Sequence, residues 1–135
     1  MSVAPHIVTL YAALLAFAFV GLSIRTLRLR KRLRIVIGDA GDTSMLRAMR
    51  VHANFAEYVP LALVLMLLVE AAGGAGWLVH VLGVALLLGR AAHAWGVSQV
   101  REDFRFRVFG MAMTFGVLLV SAIWLLVHHA AALGA

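Results

Sequence analysis

The chain has 135 residues, 64% of them hydrophobic, no cysteine and a formal net charge of +6. That length suggests one domain, and a mean hydropathy of +0.99 excludes an ordinary soluble one, because a small globular chain buries only part of its unfolded surface. Without cysteine there is no disulfide, thiolate metal site or cysteine nucleophile. The basic residues flank apolar runs, so membrane topology and anionic lipid account for the charge more simply than nucleic acid does.

Four apolar runs follow in chain order, at about residues 4–27, 46–72, 76–98 and 108–132. Each reaches the roughly 20 residues that cross a hydrocarbon core. The pattern predicts an all-α membrane protein, a single domain over residues 1–135 built as an up-down bundle of four transmembrane helices. The first run has no basic segment before it and no small-residue cleavage site after it, so a retained anchor is expected. Between runs one and two stand Arg25, Arg28, Arg30, Lys31, Arg32 and Arg34, then a turn-rich break at residues 38–42, where Asp42, Thr43 or Ser44 can cap the next helix. Arg47 and Arg50 open run two. A short, uncharged Gly73-Gly74-Ala75-Gly76 link makes the second and third helices antiparallel neighbours. Arg90 comes late in run three, and Arg101, Arg105 and Arg107 precede run four. All twelve Lys and Arg residues thus gather at one end of an up-down bundle. The positive-inside rule puts that end in the cytoplasm and both termini outside, as a multi-pass protein of a bacterial inner membrane.

The chemistry is concentrated at the start of run two. Arg47, Arg50, Asn54 and Glu57 are spaced three, four and three apart, one stripe of a helix with Tyr58 at its edge; His52 points elsewhere. A lipid-facing Arg or Glu costs roughly 2.5–3.5 kcal/mol on insertion scales. The stripe is therefore expected to face the bundle interior or a subunit boundary. An internal ion pair between Glu57 and Arg50 or Arg47, with Asn54 bonding across helices, is the plainest reading. Arginine still exceeds carboxylate after that pairing, and Arg90 and His93 add donors. Surplus guanidinium groups suit an anionic ligand, above all one with carboxylates that arginine grips with two parallel bonds. Pro60 is expected to kink the second helix, and Trp77, Trp95 and Trp124 to sit at interfaces or in packing. Glu70, His80, His128 and His129 read as solvated residues at the far end, and Tyr11 as a packing residue. No phosphate loop or metal-ligand spacing is present.

The segment Arg50-x-x-x-Asn54-x-x-Glu57-Tyr58-x-Pro60, followed by Arg90-Ala91-Ala92-His93-Ala94-Trp95-Gly96, resembles the MAPEG family, membrane-associated proteins of eicosanoid and glutathione metabolism. Its members include microsomal glutathione transferases and leukotriene C4 synthase. The wording Asn54-Phe55-Ala56-Glu57-Tyr58-Val59-Pro60-Leu61 looks like the bacterial branch. The resemblance covers nearly the whole chain. It implies a homotrimer with glutathione, as co-substrate, held between subunits near the cytoplasmic face. In catalytic members the residues matching Arg50, Asn54, Glu57 and Tyr58 contact glutathione. His52 stands where those members often carry Gln. Arg90 matches a family arginine, whereas His93 and Val97 stand where glutathione-using members often carry tyrosines. The thiolate-stabilising arginine at the start of the fourth helix matches Arg107, with Arg105 and Arg101 as alternatives, and Arg30 matches a basic residue at the end of the first helix.

A catalytic reading places the nucleophile in the substrate. A thiol of pKa about 8.5 falls to about 3.5–7.5 beside cationic groups, so Arg107 or Arg105 would hold the sulfur as thiolate. It would then attack a lipophilic electrophile, or a hydroperoxide, arriving from the bilayer. Two other classes compete: a non-catalytic lipid-binding or scaffold protein of the same fold, and a small four-helix drug transporter. The transporter reading meets a first helix with no membrane-embedded Glu to couple protons.

Overall fold

The computed structural model describes residues 6–99, 101 and 103–134. Four helices carry the fold: α1 (Ile7–Leu33), α2 (Thr43–Ala71), α3 (Gly76–Ser98) and α4 (Phe104–Leu133). All four are long and apolar enough to cross a membrane. Their outward faces are apolar: Phe17 on α1, Leu119 and Leu126 on α4 and Leu88 on α3 are exposed, the arrangement expected where lipid replaces water.

Two helices extend through the basic stretches beside their apolar runs. The first continues past residue 27 through the basic segment to Leu33, because Arg, Lys and Leu are good helix formers even where hydropathy falls. It stops at Arg34, whose φ of 58° is left-handed. Arg30 then holds the following loop, donating from Nη1 to the carbonyl of Gly38 at 3.0 Å. Similarly, α4 begins at Phe104 rather than near residue 108, because the Asp103 side chain accepts the Arg105 N–H at 2.9 Å. Arg107 consequently lies within the first turns of α4. Of the three caps possible for α2, Asp42 is the one used: its side chain accepts from Met45 N at 2.8 Å and from the Ser44 hydroxyl. The Ser44 bond and then the Met45 bond hold the Asp42 carboxyl below its ordinary range.

The core runs between the helices through Leu15, Phe55, Val59, Met66, Leu86 and Val117. Small residues set the close crossings. A methyl group added at Gly110 would sit 2.5 Å from the Gly89 carbonyl oxygen and 2.7 Å from His93 Cβ, so α3 and α4 meet almost backbone to backbone. Gly83 likewise gives its space to the Tyr11 ring.

The end with the glycine link is built differently from the sequence expectation. Glu70 is not a solvated boundary residue; its side chain is only 9% exposed. Its carboxylate accepts the N–H groups of His6 at 2.9 Å, Ile7 at 2.8 Å and Val8 at 2.9 Å. These are donors that an α-helix cannot satisfy within itself. Glu70 of α2 thus caps α1 from another helix, and its charge favours the positive end of the helix dipole. Beside it the Tyr11 hydroxyl lies 3.0 Å from His80 Nδ1 and 3.2 Å from the His80 carbonyl, so Tyr11 fastens α1 to α3 as well as packing.

Candidate functional site

The stripe on α2 forms one wall of a cavity of about 250 Å³ at the basic end of the bundle. Helical repetition puts Thr43, Arg47, Arg50, Asn54 and Glu57 on that wall; α3 contributes His93 and Val97, and α4 contributes Arg107. Among the described residues, three guanidinium groups therefore line it with one carboxylate and one imidazole. Arg50 and Glu57 are exposed on this chain, whereas His93 and Val97 are buried behind them. The stripe is not folded into its own bundle. It lies on the outer surface, with one side of the cavity open.

The remaining expected residues take three different places. Arg90 is buried, 3% exposed, and stands behind the cavity wall rather than on it. Its Nη1 donates to Asn54 Oδ1 at 2.7 Å and its Nη2 approaches the Met111 sulfur at 3.6 Å. It reaches the cavity through Asn54, whose carbonyl it fixes so that the amide N–H₂ is the group left to present. Tyr58 packs edge-on against Phe115 of α4, centroids 5.6 Å apart, at the margin of the stripe. His52 faces α1: its Nε2 is 3.0 Å from the Ser23 hydroxyl and its ring stacks on Phe19. Within one chain it does not reach the cavity. Nor does Arg30, which holds its loop. Arg101 and Arg105 are exposed and do not line the cavity; of the three arginines before run four, Arg107 does.

Arg47 has a second task. Its Nη1 donates to the Val97 carbonyl at 3.0 Å, one of the last carbonyls of α3, which lack partners within their own helix. The same contact ties the start of α2 to the end of α3 and fixes the width of the cavity. Leu46 and Ala53, also in the wall, and Thr43 were not singled out as site residues. Their signal was available, because residues 43, 46, 47, 50, 53, 54 and 57 continue the same spacing of three and four. Among the described residues, no three His, Asp or Glu side chains converge as a metal-binding set. Among the described residues, the cavity sets three guanidinium groups and an imidazole around one carboxylate, a lining whose charge suits an anion.

Comparison with known proteins agrees with this architecture. The model of the MAPEG family matches residues 8–127. The inner membrane protein YecN of Escherichia coli strain K12 is 40% identical over 111 residues, covering 82% of this chain and 83% of its own. YecN of Escherichia coli O6:H1 strain CFT073 matches to the same extent. With the match spanning all four helices, the chain belongs to the MAPEG family.

Proposed function

We propose that the cavity binds a glutathione-like thiol and activates it as thiolate for attack on a lipophilic electrophile or hydroperoxide. The observation that carries this reading is the composition of the wall, where Arg47, Arg50 and Arg107 stand with one carboxylate, Glu57, among the described residues. Two carboxylates of the ligand pair with arginines through charge-assisted bonds. Its amino group meets Glu57, and Asn54, held by Arg90, supplies neutral donors. Arg107 faces the sulfur and stabilises the thiolate by charge, taking no proton; the thiol proton leaves to solvent. On a carbon electrophile the sulfur forms a C–S bond as the leaving group departs with its electron pair. On a hydroperoxide it attacks the distal oxygen, the O–O bond breaks and an alcohol leaves. A second thiol then converts the sulfenic acid to a disulfide and water. Holding both reactants at the membrane boundary supplies proximity.

The exposure of Arg50 and Glu57 supports a homotrimer with this face at the subunit boundary. Leaving both against lipid would cost roughly 2.5–3.5 kcal/mol apiece, and a second copy would close the open side. The grouping of all twelve basic residues at one end supports an inner-membrane protein with that end in the cytoplasm. Because the chain has no cysteine, a cysteine introduced at residue 35 reports alone; it should label from the cytoplasmic side.

The test of activity is thiol consumption by purified protein with glutathione and either a chlorodinitrobenzene-type electrophile or an organic hydroperoxide. Saturable glutathione binding with substrate-dependent consumption supports the enzyme. A second reading, a non-catalytic lipid-binding or scaffold protein, draws on His93 and Val97 in the wall, where glutathione-using relatives often carry tyrosines. Absence of saturable thiol binding would favour it.

A further inference from the structure

A second and larger hollow, about 770 Å³, opens between the basic half of α1, the start of α2 and the end of α3. Arg25, Arg28 and Arg32 descend one face of α1 into it at spacings of three and four, and Arg47 faces them from α2. No carboxylate among the described residues lines it. Among the described residues, Asp42 feels the charge of Arg32 but is already occupied with Ser44 and Met45 at the cap of α2. Arg25 is half-buried and is oriented by a neutral partner, donating from Nη1 to the Ser98 hydroxyl at 2.7 Å. Its positive charge therefore stays uncompensated by that contact while its geometry is fixed.

The hollow changes character along α1. Beyond Arg25, towards the middle of the helix, its wall is Gly21 and Ile24. A side chain at Gly21 would meet no atom within 4 Å, so the glycine leaves a notch. One and two turns further on the same face stand Phe17 and Leu14, both exposed. From Arg25 to Arg32 the basic column rises about 10 Å, a depth that spans a headgroup layer. Basic above and apolar below on one continuous face complements an amphiphile standing along the bilayer normal, and a free anion would use only half of it.

We propose that this hollow is a specific seat for an anionic phospholipid. The phosphodiester of a headgroup such as phosphatidylglycerol lies among Arg25, Arg28 and Arg32, and an acyl chain runs over Gly21 towards Phe17. The guanidinium groups receive the phosphate oxygens with paired N–H bonds, as basic pockets between transmembrane helices do for anionic headgroups. Arg25, Arg28 and Arg32 lie outside the thiol cavity, so the seat is separable from the proposed activity.

The experiment is native mass spectrometry of the purified full chain in detergent with an equimolar mixture of phosphatidylglycerol and phosphatidylcholine of matched chains. Wild type should retain phosphatidylglycerol preferentially. Each arginine removed should cut the preference roughly fivefold, so Arg25→Gln/Arg28→Gln should all but abolish it while Arg34→Gln, outside the hollow, preserves it. Should loss of the Arg25–Ser98 contact prevent folding, Arg28→Gln/Arg32→Gln, both at exposed positions, gives the same reading. Equal retention of the two lipids by wild type, or a preference that survives either double variant, would overturn the seat. Excess inorganic phosphate should not displace the lipid; if it does so at millimolar concentration, the site is one for free phosphate and the lipid assignment fails.

Discussion

The two ends of the bundle both place charge within membrane-spanning helices, and they treat it in opposite ways. At the glycine-link end, Glu70 is nearly sealed from solvent and its carboxylate accepts three backbone N–H groups from α1. At the basic end, Arg50 and Glu57 remain exposed and line a cavity with Arg47 and Arg107. The contrast teaches that a charged residue in an apolar helix is diagnosed by its partners. Glu70 is consumed by structure; the stripe on α2 keeps donors facing an open volume. Intramembrane charge is a functional signal by default, and the backbone donors that claim Glu70 are what remove it from that default.

The largest effect that would break this comparison belongs to Glu70. Glu70→Ala should lower stability by about 3 kcal/mol, because it strands partly buried N–H donors at the start of α1. It should leave glutathione affinity unchanged in the folded fraction. Denaturant titration in micelles paired with a binding isotherm checks both, and a loss of affinity without a loss of stability would contradict the division. At the other end, Arg50→Ala should reverse the pattern, weakening thiol binding about ten- to a hundredfold for the loss of a charge-assisted contact with little change in the melting transition. Gly110→Ala tests the frame between the two ends. The added methyl meets the Gly89 carbonyl and His93 and should cost about 1–3 kcal/mol by forcing α3 and α4 apart. Cavity residues Val97 and Arg107 sit on those two helices, so a drop in thiol affinity should accompany it.

The smallest effect is a pH dependence at the start of α2. Hydrogen bonds from Ser44 and Met45 lower the pKa of Asp42 in the fold. The stability they add is therefore complete above the unfolded carboxylate value of about 3.9 and is lost as pH falls through the lower folded value. Asp42→Asn should flatten this acid limb in a series of melts below pH 5.

The spans and the stripe were legible in the sequence because both are local periodicities. Twenty apolar residues and a spacing of three and four need no tertiary knowledge. Helix ends were less legible: hydropathy falls at Arg28 and rises only after Arg107, but helix propensity and the Asp103 cap carry α1 and α4 into those basic stretches. Relations between helices were legible only in outline: the glycine link made α2 and α3 neighbours and Asn54 was expected to bond across helices, but which residues meet was not. Glu70 meets residues 62 to 64 positions away, and no spacing within α2 announces the open end of α1. Likewise, the sequence offers Arg90 and Asn54 as two polar residues on two helices. Only the relative rotation of α2 and α3 makes one the support of the other. His52 shows the same limit from the other side, since its turn towards Ser23 depends on where α1 packs.

The central claim is that the cavity binds a thiol and that Arg107 holds its sulfur as thiolate. The most direct measurement is the ultraviolet thiolate absorbance of bound glutathione titrated against pH, in wild type and Arg107→Ala. Wild type should show saturable binding and a bound thiol whose pKa lies below the free value of about 8.5. Arg107→Ala should bind nearly as well but titrate at higher pH, because a stabilising positive charge has gone. Identical titrations in the two proteins would contradict the role given to Arg107, and no saturable thiol signal in wild type would contradict the thiol site itself.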